Sequence, residues 1–174
     1  HQANAFCLPG GKVAVYTGIL KIAQNEAALA AVIGHEVAHA TARHGGQRMT
    51  MALGTQLGLI AASQIMGGED STQKRLLMAA LGVGANVGAV LPFSRANESE
   101  ADEIGLIYMA RAGYDPREAP KFWDRFSKTG GANPPEFLST HPASESRKQA
   151  LEAQLPKALQ IYQSSPKWGL GDKF

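Results

Sequence analysis

Two histidines four residues apart, the first followed directly by a glutamate, constrain this chain more than any other feature: His35-Glu36-Val37-Ala38-His39. The spacing has a use on an α-helix, where residues four apart share one face about one turn apart. The flanking sequence supports that helix. Asn25 offers an N-cap and Glu26 an acid in the first turn. An Ala-rich run then continues to His44, where Gly45-Gly46 is expected to stop it. Ala31, Val32, Ile33, Val37, Ala38 and Ala40 surround the motif. Two unpaired histidines in so apolar a helix would be costly, and a metal ion removes the cost. Two imidazoles at this spacing reach one tetrahedral ion, and three protein ligands leave a fourth position for water. Glu36 reaches that water without itself being a ligand, and can take its proton. The bland alternative is a surface glutamate between two ordinary helix histidines.

A third ligand must come from elsewhere. Cys7 is the one cysteine, which excludes an internal disulfide and Cys₄ or Cys₂His₂ sites. The best source is Glu98-Ser99-Glu100-Ala101-Asp102, on a helix expected from Ser94 to Ala112 and ended by Gly113. Glu98 and Asp102 share a face, so one can bind a metal while the other accepts a hydrogen bond from a ligand histidine. Spacing alone leaves both Glu98 and Glu100 open as the ligand. It also leaves open a solvated acidic helix start favoured by the macrodipole.

The remaining pattern is that of a mostly helical α+β chain. Around Pro9-Gly10-Gly11, Val13, Val15 and Thr17 alternate with Lys12, Ala14 and Tyr16, which predicts a hairpin. Two apolar stretches, Met49–Met66 and Leu76–Leu91, predict a helical hairpin over residues 49–91. A further helix is expected from Asp115-Pro116 to about Lys128, with Phe122, Trp123 and Phe126 as its core stripe. A Gly- and Pro-rich loop then leads from Gly130 to Pro142. The last helix runs from about Ala143 to Tyr162, kinked or restarted at Pro156. Residues 1–163 read as one domain and 164–174 as a loose tail. An apolar content of 44% rules out disorder, and a formal net charge of +2 rules out nucleic-acid binding driven by bulk charge.

Several runs together resemble the HtpX-like zinc metallopeptidases, a gluzincin group that includes CaaX prenyl endopeptidases, a mitochondrial inner-membrane peptidase and bacterial envelope proteases. They are Asn4-Ala5-Phe6, Pro9-Gly10-Gly11, Thr17-Gly18, His35-Glu36-x-x-His39 with Ala42-Arg43-His44, Ser94-Arg95-x-x-Glu98-x-x-Ala101-Asp102, and His141-Pro142 followed by Arg147. The resemblance implies a zincin-type fold with a small sheet near the N-terminus and one zinc per chain. It implies His35, His39 and Glu98 as the ligands, Glu36 as the base and Asp102 as acceptor for a zinc histidine. It implies that an edge strand receives an extended substrate, for which Val13, Ala14 and Val15 fit. His141 would stabilise an oxyanion or fill the open position on the zinc. Arg147 would serve the oxyanion or substrate carbonyl, or else form a surface ion pair.

The expected activity is therefore zinc-dependent endopeptidase cleavage of polypeptides, misfolded or unassembled envelope proteins among them. The resemblance places it in the bacterial cell envelope, periplasmic or membrane-associated. The alternative is a chaperone-like binding module with a latent protease site. Membrane association is possible but not required. Polar residues interrupt the first apolar stretch, and both fall short of the ~20 residues of a membrane span. A soluble hairpin over 49–91, leading straight into Glu98, would suit a lid.

Overall fold

The structure is a computed structural model that describes residues 2–65, 94–129, 136–142, 144–167 and 172–174. Two compact units are distinguishable, His1–Ala42 with Pro92–Phe174, and Arg43–Leu91.

The first unit opens with strands β1 (Ala5–Leu8) and β2 (Lys12–Val15). They pair antiparallel, with Ala5 opposite Val15, Phe6 opposite Ala14, Cys7 opposite Val13 and Leu8 opposite Lys12. Gly10 and Gly11 take φ of 93° and 81°, a region open to glycine, and the Gly11 N–H closes the turn on Leu8 O at 3.0 Å. The second strand is shorter than expected. Tyr16 N–H makes a last rung to Asn4 O at 2.9 Å, and Thr17 already begins helix α1 (Thr17–Ala23). That helix carries no capping side chain at Tyr16, so the sequence gives no start signal for it.

Helix α2 (Glu26–Thr41) starts as its sequence predicts, with the Asn25 side chain accepting from Ala28 N–H at 2.8 Å. It ends three residues before His44, where Arg43 turns the chain through a left-handed φ of 58°. Helix α4 (Arg95–Arg111) has Ser94 as N-cap and ends ahead of Gly113, at φ 83°, as expected. Helix α5 (Glu118–Ser127) begins two residues after Pro116, because Asp115 accepts the Arg117 N–H at 2.9 Å and holds a turn there. The segment expected as a loop contains a short helix, α6 (Glu136–Thr140). Helix α7 (Glu145–Ser164) is capped by Ser144 and runs through Pro156 without a break. Ile19, Val32, Leu106, Met109, Phe122, Phe126, Phe137 and Leu151 fill the core between these elements.

The expectation of a loose tail is corrected at its far end. Asp172 O accepts the Glu26 N–H at 3.1 Å, Phe174 N–H donates to Gln24 O at 3.3 Å, and Lys173 bridges Asn25.

In the second unit, helix α3 (His44–Ile65) contains all but the last residue of the first apolar stretch. Gly45-Gly46 lie in its first turn and do not act as a stop, and His44 opens this helix rather than closing α2. Met49, Met51, Leu53, Leu57 and Ile60 are exposed along it. The second arm of the expected hairpin, Leu76–Leu91, lies outside the described residues. Among the described residues no helix is long and apolar enough to cross a membrane.

One contact sets the geometry of the first unit. Helices α2 and α4 cross backbone to backbone at Gly34 and Gly105. A Cβ added to Gly34 would stand 2.7 Å from Gly105 O, and one added to Gly105 would stand 2.7 Å from His35 N. Asp102 and Glu98 lie three and seven residues before Gly105, hence on the same face of α4. The crossing therefore delivers both acids to the turn of α2 that carries His35. Gly105→Ala is expected to destabilise the chain by about 1–3 kcal/mol, because neither backbone can yield without parting the helices. Gly54→Ala in α3 adds a Cβ to a position with nothing within 4 Å. It is expected to be neutral or to stabilise by up to ~1 kcal/mol through helix propensity. Urea unfolding of the two variants checks the difference, and equal stabilities would show that the crossing has room to spare.

Candidate metal centre

His35 and His39 project from one face of α2, Glu98 from the first turn of α4, and His141 from the residue after α6. All four are buried, and one ligand atom from each lies within 4.8 Å of the others. His35 Nε2 is 3.0 Å from His39 Nε2 and 3.4 Å from Glu98 Oε2, and His39 Nε2 is 3.3 Å from Glu98 Oε1. His141 Nδ1 joins them, 3.0 Å from Glu98 Oε1 and 3.3 Å from His35 Nε2.

These separations fit a cation. Ligands ~2.0–2.1 Å from a tetrahedral zinc lie ~3.3 Å from one another. Two imidazole nitrogens 3.0 Å apart also need a proton or a cation between their lone pairs. His35 Nδ1 lies 2.9 Å from Asp102 Oδ1. A proton held there leaves the Nε2 lone pair facing the cluster. Glu100, the alternative ligand left open by spacing, is exposed. The structure brings Glu98 to the centre.

Electrostatics follow from burial. Burial opposes charge on His35, but hydrogen bonds to Asp102 and Glu98 outweigh it and raise its pKa to about 9. Burial lowers His39 to about 4 and holds His141 below the usual imidazole value. Glu98 lies far below the carboxylate range, because three histidines hydrogen-bond it and overcome its burial. Burial pushes Glu36 the other way, up to about 7. Among the described residues Glu36 Oε1 makes no hydrogen bond, and His141 Nε2 is 3.4 Å from it. It is an unspent acceptor aimed at the cluster.

Arg147 is not placed for a substrate carbonyl. Its Nε and Nη2 donate to Asp102 Oδ2 and Oδ1 at 2.7 and 2.8 Å, and its Nη1 donates to Pro142 O at 2.8 Å. Glu98 Oε2 is 2.8 Å from the same Nη1. The expected oxyanion role and the expected surface ion pair both give way to a buried guanidinium locking two acids. The expected substrate strand also shifts. The Asn4–Tyr16 rung fixes the alternation of the ladder, so Phe6 bonds Ala14 while Ala5 and Cys7 turn their backbone groups away from β2. The Cys7 backbone stands beside the Glu36 carboxylate, where it opposes the rise in pKa that burial causes. The strand beside Glu36 is thus β1, and Val13, Ala14 and Val15 lie one strand further away on β2.

Sequence reasoning took Trp123 for core alone. Its ring lies 5.2 Å from that of His35 and under the Arg147 guanidinium, whose Cζ is 4.4 Å away. A tryptophan in an apolar stripe carries no signal of that second contact surface.

The model of peptidase family M48 matches residues 1–155. The mitochondrial metalloendopeptidase OMA1 of Arabidopsis thaliana is 41% identical over 162 residues, covering 91% of this chain and 31% of that protein. Its namesake in Saccharomyces cerevisiae is 38% identical over 178 residues, 98% of this chain and 49% of that protein. The beta-barrel assembly-enhancing protease of Escherichia coli K12 is 32% identical over 152 residues, 84% of this chain and 31% of that protein. The chain spans about a third to a half of the length of these curated relatives. The expectation of a bacterial envelope location is corrected by these findings. The relatives at 38–42% identity carry mitochondrial names, and the similarity points to them rather than to the envelope protease.

The Arg147 lock makes a prediction of its own. Arg147→Met leaves Asp102 and Glu98 buried without their cation and is expected to cost about 3–5 kcal/mol. Adding Asp102→Asn to it should cost less than the sum of the two single changes, because the second removes a charge the first left stranded. A double-mutant cycle by urea unfolding measures this, and strict additivity would show that the two residues do not act as a pair.

Proposed function

The chain belongs to peptidase family M48, and from that premise we propose that it hydrolyses polypeptides as a zinc-dependent endopeptidase. The observation that carries the reading is the convergence of four buried ligand atoms within 4.8 Å, with the free Glu36 oxygen beside them. His35, His39 and Glu98 would hold one zinc ion. Bound there, the ion supplies Lewis acidity toward the scissile carbonyl and the attacking water.

The chain's own residues do the rest. Glu36 Oε1 takes a proton from the attacking water and returns it to the leaving amine. Burial raises its pKa to about 7, so the carboxylate can accept and give a proton at neutral pH. Asp102 orients the His35 ring through Nδ1. Arg147 neutralises Asp102 and Glu98 from behind, out of reach of substrate. An extended substrate would lie along the outward edge of β1, where Ala5 and Cys7 turn their backbone groups away from β2. The neighbouring Phe6 and Leu8 side chains are exposed there.

His141 supports a resting state. Its Nδ1 sits among the ligand atoms, at the separations of a fourth ligand. We assign it to the position that a substrate carbonyl must take, so that cleavage requires the ring to leave. This is the observation that favours the second reading, a polypeptide-binding module whose site is latent until His141 moves.

Two sets of variants test this function. Glu36→Gln should keep the fold and about one zinc per chain but lose 10²- to 10⁴-fold in peptide cleavage, as expected on removing a general base. Glu98→Gln should lose the zinc as well. Elemental analysis and a quenched-fluorescence peptide assay read both, and wild-type cleavage by Glu36→Gln would end the mechanism. His141→Ala should retain zinc and cleave faster than wild type. Slower cleavage with zinc retained would assign His141 to the oxyanion instead, and loss of zinc would make it an obligatory ligand.

A further inference from the structure

We propose that Trp123 is a positioning residue of the metal centre, its indole fixing the Arg147 guanidinium and the His35 ring together. This rests on the zinc reading above.

The argument starts from what a guanidinium leaves open. Arg147 donates in its plane to both Asp102 oxygens and to Pro142 O, and Glu98 Oε2 pairs with it at 2.8 Å. Such bonds resist motion in the plane of the group and resist tilting out of it only weakly. The faces of the group remain, and Trp123 covers one with Cζ 4.4 Å from the ring centroid. A desolvated cation is attracted to an indole face more than to a phenyl ring. A tilt of the guanidinium would carry Glu98 Oε2 and both Asp102 oxygens with it.

The same indole meets the ligand helix. It stands edge-on to His35, centroids 5.2 Å apart at 68°. The imidazole is thus bounded by Trp123 on one side and held by Asp102 Oδ1 at Nδ1. Trp123 also stacks on Phe137 at 5.9 Å and 19°, and Phe137 packs 4.5 Å from His141. One side chain of α5 therefore touches groups drawn from α2, α6 and α7. Phe126 on the same helix provides the contrast. It is as buried as any core residue, and its ring contacts are with Phe122, Trp123 and Phe137.

The test is zinc affinity by competition with a chromogenic chelator, with Tm measured in parallel, for wild type, Trp123→Leu, Trp123→Phe and Phe126→Leu. Trp123→Leu should bind zinc 10- to 100-fold more weakly, the cost usual for a residue that orients ligands. Phe126→Leu should lose comparable Tm with affinity within about twofold of wild type, a loss of packing alone. Trp123→Phe, which keeps a ring but a weaker face, should fall between. In the cobalt-loaded proteins, the visible d–d bands of Trp123→Leu should change shape or intensity, and those of Phe126→Leu should match wild type. Affinity in Trp123→Leu equal to the Phe126→Leu control overturns the proposal and leaves Trp123 as core. If Trp123→Leu does not fold, wild-type affinity in Trp123→Phe overturns it equally. A wild-type protein that takes up no zinc removes the centre itself, a result distinct from both.

Discussion

The centre depends on two glycines touching. At an ordinary interhelical distance of ~8–10 Å, side chains stand between two helices. At Gly34 and Gly105 nothing stands between them, since a single Cβ on either side would come within 2.7 Å of the opposite backbone. That closeness has a consequence one residue away. Glutamate and aspartate side chains are short, and the α4 backbone must come this near for Glu98 to reach 3.3–3.4 Å from His39 and His35 while Asp102 reaches 2.9 Å from the other nitrogen of His35. The glycines are structural, but they determine which chemistry the neighbouring positions can do.

A second constraint is that the centre is built from helices and closed from behind by aromatic rings. His35 and His39 lie inside α2, and Glu98 and Asp102 inside the first two turns of α4. Residues held in helix interiors keep their backbone positions, so the side chains need only local restraint. Asp102, Arg147 and the Trp123–Phe137 pair supply it. His141 differs in kind. It follows a five-residue helix and precedes Pro142, so it projects from a connection rather than from a helix interior.

What was legible in the sequence was local. The spacing of His35, Glu36 and His39, the Asn25 and Ser94 caps, the stop at Gly113 and the shared face of Glu98 and Asp102 all follow from helix geometry within a few residues. The resemblance to a peptidase family then chose Glu98 over Glu100, which spacing alone did not. What was not legible was long-range. Nothing near Gly34 or Gly105 tells that each faces the other across 71 positions of sequence. Arg147 reads as an oxyanion or carbonyl partner, or as a surface ion pair, until Asp102 and Glu98 are seen beside it. Which strand lies beside Glu36 was not legible for the same reason: alternation identifies both strands of a hairpin equally well, and only the packing of α2 on one of them breaks the tie. Helix α1 escaped because a short helix without a capping side chain has no local signature.

Charge shows why such a centre suits a divalent ion. Three carboxylates, Glu36, Glu98 and Asp102, are buried together with one guanidinium, Arg147. Fully ionised, they carry two more negative than positive charges in a largely buried region. That imbalance is expensive, and it can be relieved in two ways. Protons can enter, and the raised values of His35, about 9, and Glu36, about 7, show where they are drawn. Alternatively a divalent cation can enter among His35, His39 and Glu98 and cancel the charge in one step. The two compete for the same lone pairs, since a proton on His35 Nε2 occupies the place a metal bond needs. Burial lowers the pKa of His39 to about 4 and that of His141 below the usual imidazole value, which favours the neutral forms that bind metal. Metal binding at this centre is therefore an exchange of a proton for a cation in a pocket whose fixed charges demand one or the other. Glu36, whose pKa burial raises to about 7, is the third carboxylate beside that pocket.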